Sequence, residues 1–342
     1  MFLRNCWYVG AWDAEIERAP FARTLLGEGV VLFRKENGAV VALEDRCCHR
    51  NMPLSMGRLR GDDIQCGYHG LVYDAEGTCV EVPGQVAIPP EARVRSFPVA
   101  EKWSLIWIWM GDPARADWSL IPDWHYMDHP DWIVARGNHS KPIHMKCRWE
   151  LNNDNLLDLS HVAYLHDGTL GGTDIKDHPV RTERSARAIR MARLIPDTPP
   201  IPLLASYIGA EGNVDRWQIA EVTAPTHCIV DAGFAPVGTG TIEGDSGQGI
   251  GFRALITATP ETESTSFMFY AQVRNFAHDN EKMTETFTKD FYNVFLQDVA
   301  AMEAQQAVME RHPDAPTIDI NVDAPHIAMR QLISRLIEEE RE

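Results

Sequence analysis

The chain has 342 residues, 44% hydrophobic and 24% charged. That is an ordinary globular balance in a chain longer than one core usually supports, so two domains are expected. The formal net charge of −17 argues against nucleic acid as a partner, which needs clustered Lys and Arg, and suits docking onto a basic protein surface. No uncharged apolar run approaches a membrane span, Arg4, Asp13 and Glu15 interrupt any signal-peptide core, and seven cysteines fit a reducing cytoplasm better than a disulfide scaffold.

In chain order, GVVLFR at 29–34 and AVVALE at 39–44 are short β-rich runs separated by a KENG turn. LVYDAEG and TCVEVPG form a second hairpin-like pair, and RSFPVAEKWSLIWIWMG follows at 95–111. Short strands with Gly and Pro turns at this spacing predict a small antiparallel β-domain ending near residue 118, with a second domain over 119–342.

Between those strands lies CCHRNMPLSMGRLRGDDIQCGYHG, residues 47 to 70. Cys47-x-His49 and Cys66-x-x-His69 each offer one thiolate and one imidazole, and Gly67 and Gly70 let the second loop turn tightly. Buried free cysteines beside core histidines would be a chance explanation, and two matched pairs make it a poor one. A structural zinc site usually pairs Cys with Cys and His with His across short gaps, whereas the order here alternates. A two-iron, two-sulfide cluster of the Rieske type, with two Cys on one iron and two His on the other, explains the alternation. Each loop then gives one ligand to each iron. The remaining cysteines, Cys6, Cys79, Cys147 and Cys228, have no ligand spacing and read as small core residues.

In the second domain, LNNDNLLDLSHVAYLH at 151–166 places Asp154, Asp158, His161 and Leu165 on one face of a helix. His166 lies five residues after His161 and could share a metal with it only if the helix ends or distorts there, and Asp167-Gly168 supplies a break. An amphipathic helix with solvated acids explains this segment equally well. Further on, THCIVDAGFA, GIGFRALITAT and STSFMFYAQVRNF read as strands, and residues 281–311 as a long helix. That helix carries Phe287, Phe291, Val294, Phe295 and Met302 along one stripe, and Asp298 falls on it. A carboxylate in a core-facing position is costly unless a cation or partner satisfies it. An Arg or a helix cap could do so; so could iron, since two histidines and a carboxylate make the facial triad of non-haem iron oxygenases. The final IEEERE reads as a solvated helix end.

Taken together, RNCWYVGAW, DRCCHR, CGYHG, EVPGQ, IWIWMGDPARAD, DNLLDLSHVAYLH, DRWQI and VRNF make the chain resemble, nearly end to end, the oxygenase component of Rieske non-haem iron oxygenases. Within that family it is similar to the branch of vanillate O-demethylase, toluenesulfonate methyl-monooxygenase and dicamba demethylase. The resemblance implies an α+β fold: an N-terminal antiparallel β Rieske domain and a helix-grip catalytic domain, whose curved antiparallel sheet wraps a long C-terminal helix. It implies that Cys47, His49, Cys66 and His69 hold a [2Fe–2S] cluster and that His161, His166 and Asp298 hold a mononuclear Fe(II). Asn155 matches a position beside that iron, and Asp158 bridges the two centres.

The implied reaction inserts oxygen from dioxygen into a C–H bond of a small methyl- or methoxy-bearing aromatic acid; ring dihydroxylation and an electron carrier with an inert second domain are the alternatives. No G-x-G-x-x-G opens a strand–helix unit, so electrons are expected from a separate NAD(P)H-dependent reductase, with or without a ferredoxin. The family's head-to-tail homotrimer would run the electron path from His69 of the partner subunit through Asp158 to His161. Two departures stand out: Cys48 occupies a common proline position, and Leu71 stands where many relatives carry Trp. Asp231 and Arg253, charged residues in apolar strands, are pocket candidates, with solvent or a subunit contact as the commoner fate of such residues, and the stretch from Gly168 to Ile208 reads as a long connection suited to a mobile lid, with an ordinary surface loop as the alternative.

Overall fold

The computed structural model describes residues 1–136, 141–171, 175, 178–208, 211–239 and 249–341. The chain divides into two compact units, the first essentially Met1–Ile121 and the second most of the remainder.

The first unit is entirely antiparallel. It contains β1 (Trp7–Trp12), β2 (Phe21–Leu25), β3 (Glu28–Arg34), β4 (Val40–Glu44), β5 (Arg58–Arg60), β6 (Asp63–Gln65), β7 (Val72–Tyr73), β8 (Cys79–Glu81), β9 (Val99–Lys102) and β10 (Leu105–Trp109). They form three sheets in the orders β1-β10-β9, β2-β3-β4 and β5-β6-β7-β8. β1 and β10 are buried along their whole length, which is why WYVGAW and LIWIW read as continuous apolar runs rather than alternating ones. The KENG turn joins β3 to β4, with Gly38 at φ 88° and its N–H donating to Lys35 O at 3.0 Å. Val31, Phe33, Val41, Leu43, Leu54, Ile64, Leu71 and Tyr73 form a core into which Cys47, Cys66 and Cys79 are packed.

The second unit is built on one eight-stranded antiparallel sheet. Its elements are β11 (Ile133–Arg136), β12 (Ile143–Met145), α1 (Glu150–Leu157), α2 (Val162–Leu165), β13 (Arg181–Arg184), β14 (Ala188–Thr198), α3 (Pro202–Ile208), β15 (Val214–Thr223), β16 (His227–Pro236), β17 (Ile250–Pro260), β18 (Ser266–Arg274), α4 (Glu281–Arg311) and α5 (Ala324–Glu339). The strand order is β11-β18-β17-β16-β15-β14-β13, with β12 also pairing with β18. The long helix expected at 281–311 is α4, and its Phe287, Phe291 and Phe295 stack on Phe252 of β17 and Tyr270 of β18. The α+β architecture expected from the sequence is therefore present: an antiparallel β N-terminal unit, then an antiparallel sheet carrying a long C-terminal helix.

Three expectations change. The single helix over 151–166 is two pieces, because α1 stops at Leu157 with Asp158, out of helical conformation, as its cap and α2 restarts at Val162. The stretch from Gly168 to Ile208 is not one long connection: β13, β14 and α3 lie inside it, and Gly172, Thr173, Asp174, Lys176 and Asp177 lie outside the described residues. Charged residues, Arg181, Glu183 and Arg184 on β13 and Arg190 and Arg193 on β14, obscured the strand pattern there. Finally, Asp231 and Arg253 do not face the cavity described below. They oppose each other across β16 and β17 on the alternate face, ion-paired at 2.9 Å. Arg253 also stacks over Tyr126 and Trp132, and Asp231 accepts from Trp217 Nε1 at 2.7 Å.

Candidate functional site

In the first unit, Cys47 and Cys66 sit at the heads of two loops closed in the same way. Cys47 N donates to Met52 O and Asn51 N to Cys47 O; Cys66 N donates to Leu71 O and Gly70 N to Cys66 O, all within 2.8–3.2 Å. Each loop needs one left-handed residue to close, Asn51 at φ 58° and Gly70 at φ 79°. A side chain at Gly67 would meet Met56 O at 2.7 Å, so glycine is what lets the second loop pass close to the neighbouring backbone. The loops bury both thiols and turn both imidazoles outward, with the rings of His49 and His69 4.6 Å apart.

The thiol choice between neighbours is also legible. Cys47 is buried and hydrogen-bond close to Cys66, whereas Cys48 is only half-buried. Tyr73, which sequence reading passed over, places its hydroxyl 3.1 Å from Cys47 Sγ and 3.2 Å from Cys48 Sγ. Burial pushes the Cys66 thiol above its ordinary value, so a charge-compensating group is needed to hold it as a thiolate. Among the described residues, the one set of three or more His, Cys, Asp or Glu that could grip a single ion is elsewhere.

That one set is His161, His166 and Asp298, whose ligand atoms lie within 4.8 Å of one another. The broken helix brings the two imidazoles together: His161 caps the start of α2 and His166 its end. Gly168 at φ 78° turns the chain away, and the N–H groups of Thr169 and Gly171 both donate to His166 O at 3.1 Å. Asp298 reaches them from α4, with Oδ1 3.3 Å from His161 Nε2 and 3.1 Å from His166 Nε2.

Each ring is held from behind. His161 Nδ1 lies 2.6 Å from the main-chain O of Asp158, and His166 Nδ1 lies 2.7 Å from Gln297 Oε1. Those acceptors hold a proton on each Nδ1, so each Nε2, which faces Asp298, is the nitrogen that can give up its proton and ligate a metal. Asn155 Nδ2 donates to Asp298 Oδ1 at 3.1 Å. The Asp158 carboxylate is directed otherwise, accepting from Ser160 N at 3.0 Å. Burial alone would raise the Asp298 carboxyl, but hydrogen bonds from His161 and His166 outweigh it and hold the group below the usual carboxylate range. Burial alone would likewise lower His166, and Asp298 raises it above the ordinary imidazole value. Two neutral-capable imidazoles and an ionised carboxylate converging in a buried site fit a divalent iron, with coordination positions to spare.

Beside this triad is a mostly apolar cavity, partly open to solvent. It is lined by Leu156, Leu159, Val162, Val230, Ala232, Ala254, Ile256, Phe291, Val294 and Phe295, with Asn155 and Gln218 as polar members beside the triad itself. Gln297, Tyr73 and Gln218 had no sequence signal, because a neutral amide or phenol beside a ligand is no rarer than elsewhere.

The sequence matches two known families: residues 6–98 the Rieske [2Fe-2S] domain, and residues 145–339 the vanillate O-demethylase oxygenase C-terminal domain. It is 41% identical to the iron-sulfur subunit of the toluene-4-sulfonate monooxygenase system of Comamonas testosteroni, over 99% of this chain and 98% of that one. The fold is similar to the crystal structure of dicamba monooxygenase bound to 3,6-dichlorosalicylic acid, with a TM-score of 0.90, 32% identity and 99% of each chain covered. It is also similar to that of dicamba monooxygenase with non-heme iron and dicamba, with a TM-score of 0.84, 32% identity, and 99% and 98% covered. A Rieske domain followed by a vanillate O-demethylase-type domain, matched over nearly the whole length, leaves one conclusion: the chain belongs to the Rieske non-haem iron oxygenases, as the oxygenase component of a multicomponent oxidoreductase that works with a [2Fe–2S] cluster and a mononuclear iron.

Proposed function

We propose that the protein hydroxylates or demethylates a small methyl- or methoxy-bearing aromatic acid, using dioxygen and electrons from a separate NAD(P)H-dependent reductase, directly or through a ferredoxin. The observation that carries this reading is the convergence of His161, His166 and Asp298 in the wall of an apolar cavity. In it, Cys47 and Cys66 bind one iron of the cluster and His49 and His69 the other, while His161 Nε2, His166 Nε2 and an Asp298 oxygen hold the mononuclear iron. With both groups bound, the site has one-electron delivery and dioxygen chemistry available to it.

The chain's own residues do the rest. Phe291, Val294 and Phe295 present an apolar wall that admits an aromatic ring and sheds water. Asp158 O and Gln297 fix the two rings, and Asn155 fixes the carboxylate. Overall, one oxygen atom enters a substrate C–H bond and the other leaves as water, with two electrons and two protons consumed. A methoxy group so hydroxylated becomes a hemiacetal that breaks to a phenol and formaldehyde. With reductase and a methoxybenzoate panel, formaldehyde should appear in step with dioxygen uptake. Metal analysis should find a third iron beyond the cluster's two; an electron carrier would hold only two.

The same reading takes the assembly as a homotrimer, in which His69 of the partner subunit passes its electron through Asp158 to His161. Support comes from the position of Asp158 at the helix break, half-exposed: its main-chain O already holds His161 Nδ1 at 2.6 Å, and its carboxylate is the group left to meet a second imidazole. Asp158→Asn should keep all three irons and the trimer, with turnover at least about tenfold lower and the cluster still reducible. Near-normal turnover would sink the relay. Loss of the mononuclear iron would recast Asp158 as a structural residue.

A further inference from the structure

Four residues stand directly opposite one another across four strands: Arg193 on β14, Gln218 on β15, Ala232 on β16 and Phe252 on β17. Directly opposed residues share a face of an antiparallel sheet, and Gln218, Ala232 and Phe252 all line the cavity beside the triad. Arg193, one strand further, is 1% exposed. Its Nη2 donates to Ser160 Oγ at 2.8 Å and its Nη1 to Gln218 Oε1 at 3.4 Å. A guanidinium has donors only, so the amide of Gln218 must turn its oxygen to Arg193 and its nitrogen the other way. Gln218 is itself only 4% exposed, and its amide nitrogen makes no hydrogen bond to any described residue. The other neutral amide in the wall, Asn155, is committed to Asp298.

We infer that Gln218, oriented by Arg193, is a specificity-determining residue that donates a hydrogen bond to an acceptor oxygen on the substrate. The inference rests on the cavity being the substrate site and adds what the site reads there. An uncommitted buried donor in an apolar wall favours a ligand that satisfies it and penalises one that leaves it bare. The acceptor class covers carboxylate, sulfonate and carbonyl oxygens. Arg193 stands behind the amide and lends its N–H groups added polarity, although its charge is also drawn to Asp158. Arg193 is accordingly a positioning residue, acting through Gln218.

The test is equilibrium binding to the iron-loaded protein, without reductase, of 4-methylbenzoate, 4-methylbenzamide and 1,4-dimethylbenzene. The three share a ring and a methyl group and differ in bearing an anionic acceptor, a neutral acceptor or none. Wild type should bind at least one acceptor-bearing probe about 10- to 100-fold more tightly than 1,4-dimethylbenzene. Whichever probe leads tells anionic from neutral recognition. Gln218→Leu should remove that preference while 1,4-dimethylbenzene still binds. Gln218→Glu, which replaces the donor with acceptors, should reject 4-methylbenzoate most of all. In turnover, Gln218→Leu should raise KM with kcat little changed. A preference that survives in Gln218→Leu, or equal binding of all three probes by wild type, overturns the inference while leaving the oxygenase reading intact. If wild type binds none of them, the cavity reading falls as well.

Discussion

In the first unit the candidate ligands are neighbours in sequence, paired on loops that hold their thiols in the core and their imidazoles at the surface. In the second they come from a broken helix and from a helix 132 residues later, and His166 and Asp298 are deeply buried. The first arrangement suits a group that must exchange electrons with something outside the unit. The second suits a group that must keep water out while a substrate approaches. The two plans also fail differently: a local loop keeps its shape when one ligand is lost, whereas the triad depends on packing that spans the unit.

The most severe way to probe the difference is at the thiols. Cys47→Ser should abolish the cluster, removing about two of three irons per chain and the visible spectrum with them. Cys48→Ser, one residue away, should leave the spectrum in place with at most a small shift in reduction potential, because the half-buried Cys48 shares only the Tyr73 hydroxyl with Cys47. Were Cys48→Ser the variant that bleached, the assignment of the first loop would be reversed.

Next in size is Asp298→Ala. It should reduce iron to about two per chain, keep the cluster spectrum and bring turnover to background. The expected sequel is a less stable second unit, since His161 and His166 lose the carboxylate that both face. Retention of the third iron would mean that the carboxylate is structural.

Gln297→Leu is subtler. It removes the acceptor behind His166 without touching a proposed ligand atom, and iron affinity should fall about 10- to 100-fold, read by chelator competition. The cluster should be unaffected. The smallest effect on chemistry belongs to the other face of the same sheet. Asp231→Ala leaves Arg253 without its carboxylate and Trp217 Nε1 without its acceptor, at a cost of about 1–3 kcal/mol in stability. Thermal unfolding should show that loss, and turnover per bound iron should not change.

The same contrast explains what the sequence disclosed. Cys47-x-His49 and Cys66-x-x-His69 were readable because each loop encodes its own geometry within a few residues. Asp298 was readable only as an acid on an apolar helical stripe, an anomaly that names no partner. That His161 and His166 meet depends on α1 stopping at Leu157, and only the Asp167-Gly168 pair hinted at such a break. The facing of Asp231 and Arg253 was illegible because apolar residues fill both sides of β16 and β17, so alternation gives no phase. Gln218 and Gln297 matter through neighbours supplied by other elements, and no spacing records that.

Helix α4 has one further consequence. Asp298 shares a single helix with Phe291, Val294 and Phe295, so one element carries both a proposed iron ligand and a wall of the cavity. On that assignment, a change that enlarges the cavity from this side is expected to let the carboxylate drift and to weaken iron binding with it. Val230, Ala232, Ala254 and Ile256 on β16 and β17 carry no such obligation. Diversification of substrate range in proteins built this way is therefore expected to accumulate on the strands, with the helix inherited nearly unaltered.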